Sequence, residues 1–252
     1  ERARLRASAG QAIKAGSAGL MARIVEAQRR RIADGAKAAA ILASQATCVA
    51  PGLIRLAPDF ATALPAEAAV YALRALLGVT GGMAHLPDEG RSASLLERLR
   101  SLPTRATLSR SVVDMRRQGI FLRRELRGLP GPQPAVDGML WDGRLRVRST
   151  GIQDGLTIAP FGTENARRMV VDNAGAPQSL VRAALAAEPA LWSGQDCLGL
   201  VGDAQVNIEA TRVAGPWAQF LPSFDLALVR AVGRLIGCPD APPPPLRGHN
   251  EA

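Results

Sequence analysis

The hydrophobic period of this chain changes partway along it, and that change limits the fold more than any single motif does. From Gly19 to Ala46 the apolar positions Leu20, Ile24, Ile32, Ala36 and Ala40 recur at helical spacing, with Arg23, Arg29, Arg30 and Arg31 around the polar surface. Pro65-Ala-Glu-Ala opens a second helix through Leu77, because the first helical turn has no use for the N–H that proline lacks. "SLLERLRSL" supplies a third, ending before Pro103. The pattern then turns strand-like. Ser111–Met115 and Ile120–Leu122 are short apolar runs separated by a polar piece ending in Gln118-Gly119, which reads as a β-hairpin.

Pro130, Pro132 and Pro134 follow within five residues and read as a stiff, extended linker. Beyond it the strand-like pieces "LRVRS", "LTIAPFG", "CLGLVG" and "VNIEATRV" surround a helix, "PQSLVRAALAAEPALW", marked at its start by Pro177. A last helix, Phe224–Ile236, precedes a proline-rich tail that reads as disordered. The expected fold class is α + α/β: a helical bundle domain with a terminal β-hairpin (19–130), a Pro-rich linker (131–136), a small mixed α/β C-terminal domain (137–238) and a tail (239–252). Trp141 and Trp192 are expected as core anchors rather than base-stacking platforms, and with aromatics only 4% of the chain the core must be built from Leu, Ala, Val and Ile.

The net charge of +9 points to a polyanionic partner. Lys14 and Lys37 are the only lysines, so nearly all of the positive charge is guanidinium. Arginine forks hold phosphate bidentately and stack on bases, which ammonium groups do not. Apolar runs are broken by charge well before the roughly 20 residues a membrane span needs, and no basic-then-apolar leader opens the sequence. A cytoplasmic, membrane-free protein is expected. Cys48, Cys197 and Cys238 form no CxxC pair and read as structural thiols of a reducing compartment; no metal site is expected.

Catalytic patterns are missing from these 252 residues. There is no G-x-x-x-x-G-K-[ST] loop, no G-x-G-x-x-G after a strand and no G-x-S-x-G elbow, and two histidines leave little scope for a triad. "LLGVTGGMAHL" faintly echoes the S-G-G-x-D-S loop of ATP pyrophosphatases. Its apolar lead-in, however, belongs to a helix, and Ala84-His85 stand where Asp-Ser is required. A glycine turn closing the helix is the better reading, with His85 in a loop.

Several pieces nevertheless fall in a recognisable order. "LRRELRGLP" closing a hairpin, a proline linker and then "LWDGRLRV" resemble the junction between the two C-terminal domains of bacterial tRNA(Ile)-lysidine synthases. "ERARLR" resembles the arginine-rich segment at the end of that family's catalytic domain, which makes residues 1–18 the end of that domain and a linker. "LPAEAAVYALRALLGVTGG" resembles its helical middle domain. "IAPFG", "GAPQSLVRAALAAEPALW" and "LGLVG" resemble its last domain. The resemblance implies a ligase that adenylates the wobble cytidine of an isoleucine tRNA (CAU anticodon) with ATP and Mg²⁺ and then joins L-lysine to it. That chemistry would reside in an N-terminal pyrophosphatase domain absent from this sequence. The chain would then be the tRNA-recognition portion, binding no cofactor itself and inactive alone, and a homodimer is left open.

On this reading the candidate tRNA-binding residues are Arg182, which matches a basic position of the family motif, with Arg167, Arg168, Arg23, Arg29, Arg30, Arg31, Arg123, Arg124 and Arg127. Arg2, Arg4 and Arg6 stand where the resemblance places arginines near nucleotide and tRNA. Two alternatives compete. One is a stand-alone basic RNA- or DNA-binding protein; the other is a structural interaction module whose arginines serve ion pairs.

Overall fold

The computed structural model describes residue 8 and residues 17–101, 103–148, 155–169, 175–203 and 208–241. Arg2, Arg4, Arg6 and the tail from 242 onward lie outside the described residues. The α + α/β reading holds, with six helices and three antiparallel sheets among the described residues.

The first part is more than a bundle. Helix α1 (Ser17–Gln45) ends where β1 (Ala46–Ala50) begins, and β1 turns at Gly52 into β2 (Leu53–Leu56). The sequence reading carried α1 through Ala46 and assigned no strand after it. The missed clue is Pro51-Gly52 between two short apolar runs, a turn dipeptide that sets Cys48 opposite Ile54. Helix α2 (Ala66–Gly81) and α3 (Glu89–Arg98) follow. The carboxylate of Asp88 caps α3 by accepting the Arg91 N–H at 2.9 Å. β3 (Thr104–Leu108), β4 (Ser111–Arg116) and β5 (Gly119–Arg124) complete a five-stranded sheet of order β1-β2-β5-β4-β3. The anticipated hairpin is β4–β5, closed by the Arg116–Gly119 pair.

Every residue of β5 is buried, because both faces of the sheet are covered. Ile120 and Leu122 join the main core with Leu73, Leu76 and Leu77 of α2. Phe121, with Leu53 and Val49, joins a second core formed with α5 (Gln178–Leu185). The elements after the prolines are β6 (Gln133–Pro134), β7 (Leu140–Trp141), β8 (Leu145–Arg148), β9 (Leu156–Pro160), α4 (Thr163–Arg168), α5, β10 (Pro189–Ser193), β11 (Asp196–Leu200), β12 (Glu209–Arg212) and α6 (Leu226–Ile236). They build sheets of order β11-β10-β9-β6 and β12-β8-β7 around Trp141, Val147, Ile158 and Leu191.

Three details depart from expectation. The proline stretch contributes a paired edge, with Gln133 opposite Ile158. The helix expected from Pro177 through Trp192 stops at Leu185, and Pro189 opens a strand instead. Helix α6 packs along α1 and gives Leu228, Val229 and Val232 to the main core, so α6 returns to α1. No helix among the described residues is long and apolar enough to cross a membrane.

Candidate nucleic-acid interface and its buried arginine frame

The stretch richest in arginine folds inward. The Asp142 carboxylate, buried in the turn between β7 and β8, accepts a bidentate pair from Arg124 at 3.0 and 3.1 Å and a third bond from Arg144 at 2.8 Å. Arg110 reaches the same carboxylate from the β3–β4 turn. Arg144 also bridges to Glu188 at 2.7 Å and lies over the Trp141 ring at 5.4 Å; Arg212 of β12 closes on the other Glu188 oxygen. Four guanidiniums thus surround two carboxylates, and these groups come from β5, β12, the β3–β4 and β7–β8 turns and the turn between α5 and β10. The remaining N–H groups of Arg124 donate to the carbonyls of Glu125, Arg127 and Gly128 and lock the chain entering the proline stretch.

Burial alone would raise the Glu188 carboxyl, but Arg212 and Arg144 outweigh it and hold it below the usual carboxylate range. The Arg124 guanidinium is lowered by desolvation, with Asp142 opposing. Arg123 is also lowered, by burial first and then by Arg105.

The double glycine explains how this frame seats against α2. Gly82, at φ 62°, closes α2 as its left-handed cap, as the sequence suggested. A Cβ on Gly81 would stand 1.9 Å from the Ser109 carbonyl oxygen, and one on Gly82 would stand 1.9 Å from that of Asp142. The glycines let two backbone turns touch the helix end. The same space leaves no room for a nucleotide phosphate, so these residues do not fit ATP.

The predicted contact residues divide into two groups. Arg124 is fully enclosed in the frame just described, and Arg123 is buried beside it, its guanidinium donating to the Arg124 carbonyl. Arg31 is partly buried. It turns inward to Asp225 at 3.1 Å and to the Tyr71 hydroxyl, with its guanidinium 4.6 Å from the Tyr71 ring centroid, fastening α1 to the turn before α6. Burial, then the Asp225 carboxylate, pushes the Tyr71 phenol upward.

Arg23, Arg29 and Arg30 are exposed on α1. Arg30 pairs with Glu26 one turn back, and Arg23 donates to the Ser8 carbonyl. Arg127 is exposed beside Glu125, and Arg168 is exposed beside Glu164 at 2.6 Å. Arg167 is exposed, and among the described residues it pairs with no carboxylate. Arg182, on α5, is half-buried, and its Nε is enclosed with no hydrogen-bond partner among the described residues. Trp141 is fully buried, as expected; Trp192 is partly buried against the second core.

Sequence reasoning missed Arg110, Arg144 and Arg212, whose roles need the fold. It also missed Arg230 and Arg234, exposed one turn apart on α6, where the i, i+4 spacing was a readable clue.

No family model matches the chain, and no solved structure does. Curated proteins do. The chain is 49% identical over 218 residues to a tRNA(Ile)-lysidine synthase of Mesorhizobium japonicum, covering 86% of this chain and 48% of that protein. The chain is a homologue of part of a tRNA(Ile)-lysidine synthase. A lysidine synthase of Rhizobium meliloti agrees at 30% identity over 222 residues, again covering 48% of its length. The chain therefore spans about half the length of the lysidine synthases it matches.

Proposed function

We propose that this chain is the part of a tRNA(Ile)-lysidine synthase that holds the tRNA, and that other residues of such an enzyme perform ligation. The identity to a lysidine synthase over 86% of the chain carries this reading. The surface supports it. Arg23, Arg29, Arg167, Arg230 and Arg234 are exposed, and among the described residues none of them pairs with a carboxylate. Guanidiniums left unneutralised at a surface serve phosphate contacts, which set the register of a folded RNA without reading its sequence. The buried frame supports it from beneath, since a rigid support keeps separate contacts aligned over a large ligand.

In this reading, helical RNA is gripped by shape, 2′-hydroxyl and phosphate, because its deep major groove hides the base edges. Adenylation by ATP with Mg²⁺, and attack by the lysine amine, fall to residues outside these 252. Gly81-Gly82, filled by the Ser109 and Asp142 backbones, has no part in it. A cytoplasmic location goes with the same function.

The test is binding of the purified chain to an isoleucine tRNA transcript with a CAU anticodon, against the elongator methionine tRNA. Tighter binding of the isoleucine tRNA is expected at moderate salt, together with no lysidine product when ATP and lysine are added. Equal affinity for both tRNAs and for arbitrary RNA identifies a general RNA binder instead. Absence of binding overturns the proposal.

A further inference from the structure

Helices α1 and α6 lie side by side but do not close on each other everywhere. Between them runs an open groove of about 750 Å³, floored by Ala39, Ala43 and Ala46 of α1 and β1 and walled by Arg230 and Arg234 of α6. Most of the lining is alanine, with Leu42 and Leu235 beside it, so another backbone can approach closely along the alanines. No carboxylate lines the groove, and among the described residues neither arginine forms an ion pair. The two guanidiniums sit four residues apart on one helix face, about 6 Å along the axis, a spacing on the scale of successive phosphates along one strand.

The cationic character continues along α1. Arg29, Ala36, Ala40 and Ala43 fall on one stripe of the helix, at intervals of seven, four and three residues, and all four are exposed. Exposed Lys37 stands beside that stripe. Cys48, at the start of the sheet, closes the opposite end with an exposed free thiol. Apart from Leu42 and Leu235 the apolar lining is alanine, and the only charged groups in it are the two unneutralised forks. The charge fits a polyanion.

We propose that the α1–α6 groove seats the sugar–phosphate backbone of one RNA strand, with Arg230 and Arg234 holding successive phosphates and Arg29 extending the track. The inference rests on the tRNA-holding reading above and assigns it a site.

Three variants of the full chain test it against the tRNA transcript. Arg230→Gln with Arg234→Gln should weaken binding at least tenfold at moderate salt and lower the slope of log affinity against log salt by about 1.5, the loss of two phosphate contacts. Arg91→Gln with Arg98→Gln removes equal charge from α3, where both side chains are exposed, and should change binding much less. Ala43→Trp fills the groove without altering charge and should weaken binding with the slope nearly unchanged. Circular dichroism melting confirms that each variant is folded.

Independently, bound tRNA should slow maleimide labelling of Cys48, with Cys197 and Cys238 as internal references. Wild-type affinity in the Arg230/Arg234 variant overturns the site while leaving the tRNA reading intact, as does an equal loss in the α3 control. A change in oligomeric state of Ala43→Trp without loss of RNA binding makes the groove a contact between copies and also overturns it. If the wild-type chain binds no tRNA, both proposals fall.

Discussion

Asp142 accepts hydrogen bonds from three arginines, two of which are buried with it. Removing its charge leaves Arg124 and Arg144 facing a neutral amide in a dry environment, whereas the turn itself tolerates the change, since asparagine suits the left-handed backbone at φ 51°. Asp142→Asn is therefore expected to cost about 3–5 kcal/mol in urea unfolding, the penalty for an uncompensated buried charge. By contrast, Arg30→Ala, which breaks an exposed pair, should stay within about 1 kcal/mol. Arg182 has the opposite character: a half-buried fork with an enclosed Nε that has no partner among the described residues. Arg182→Ala should weaken tRNA binding by about 1–3 kcal/mol if that fork meets a phosphate. An unchanged dissociation constant in a titration removes it from the interface.

Among the elements, α6 changes the behaviour expected of the whole. A sequence with a proline-rich middle suggests two pieces that separate when cut between Pro130 and Val136. The structure instead lays α6 along α1 and packs α5 on the outer face of the five-stranded sheet through Val49, Leu53 and Phe121. Residues 131–134 are exposed and accessible to a protease. A cut there should leave both fragments together on native gel filtration, parting only in denaturant. Separate elution would show that the α1–α6 and α5–sheet contacts are too weak to hold them.

For the molecule as a whole, the buried frame links stability to acidity. The Glu188 carboxyl is held below its ordinary value, so it binds protons more readily unfolded than folded. Its stabilising contribution is present in full above the unfolded carboxylate range, near pH 4.3, and is lost as pH falls through the lower folded value. Urea midpoints should therefore drop between pH 5 and pH 3 by more in the wild type than in Glu188→Gln, which starts less stable and has no such proton to gain. Equal pH dependence in both proteins removes Glu188 as a source of acid sensitivity.

The sequence by itself determined the long helices, the β4–β5 hairpin, the glycine cap on α2 and the kinship with lysidine synthases. Each of these depends on residues close in the chain: apolar spacing, turn dipeptides, short motifs in sequence. The tertiary structure decided which arginines face solvent. Arg123 and Arg124 read like Arg29 and Arg30 in a one-dimensional pattern. Their fates differ because β5 is covered on both faces and α1 on only part of its circumference. Arg31 turns inward because Asp225, distant in sequence, is delivered beside it by the return of α6. Burial depends on what packs from elsewhere, and Arg31, Arg124 and Arg144 are drawn inside where a carboxylate distant in the chain or brought up by a turn offsets their desolvation.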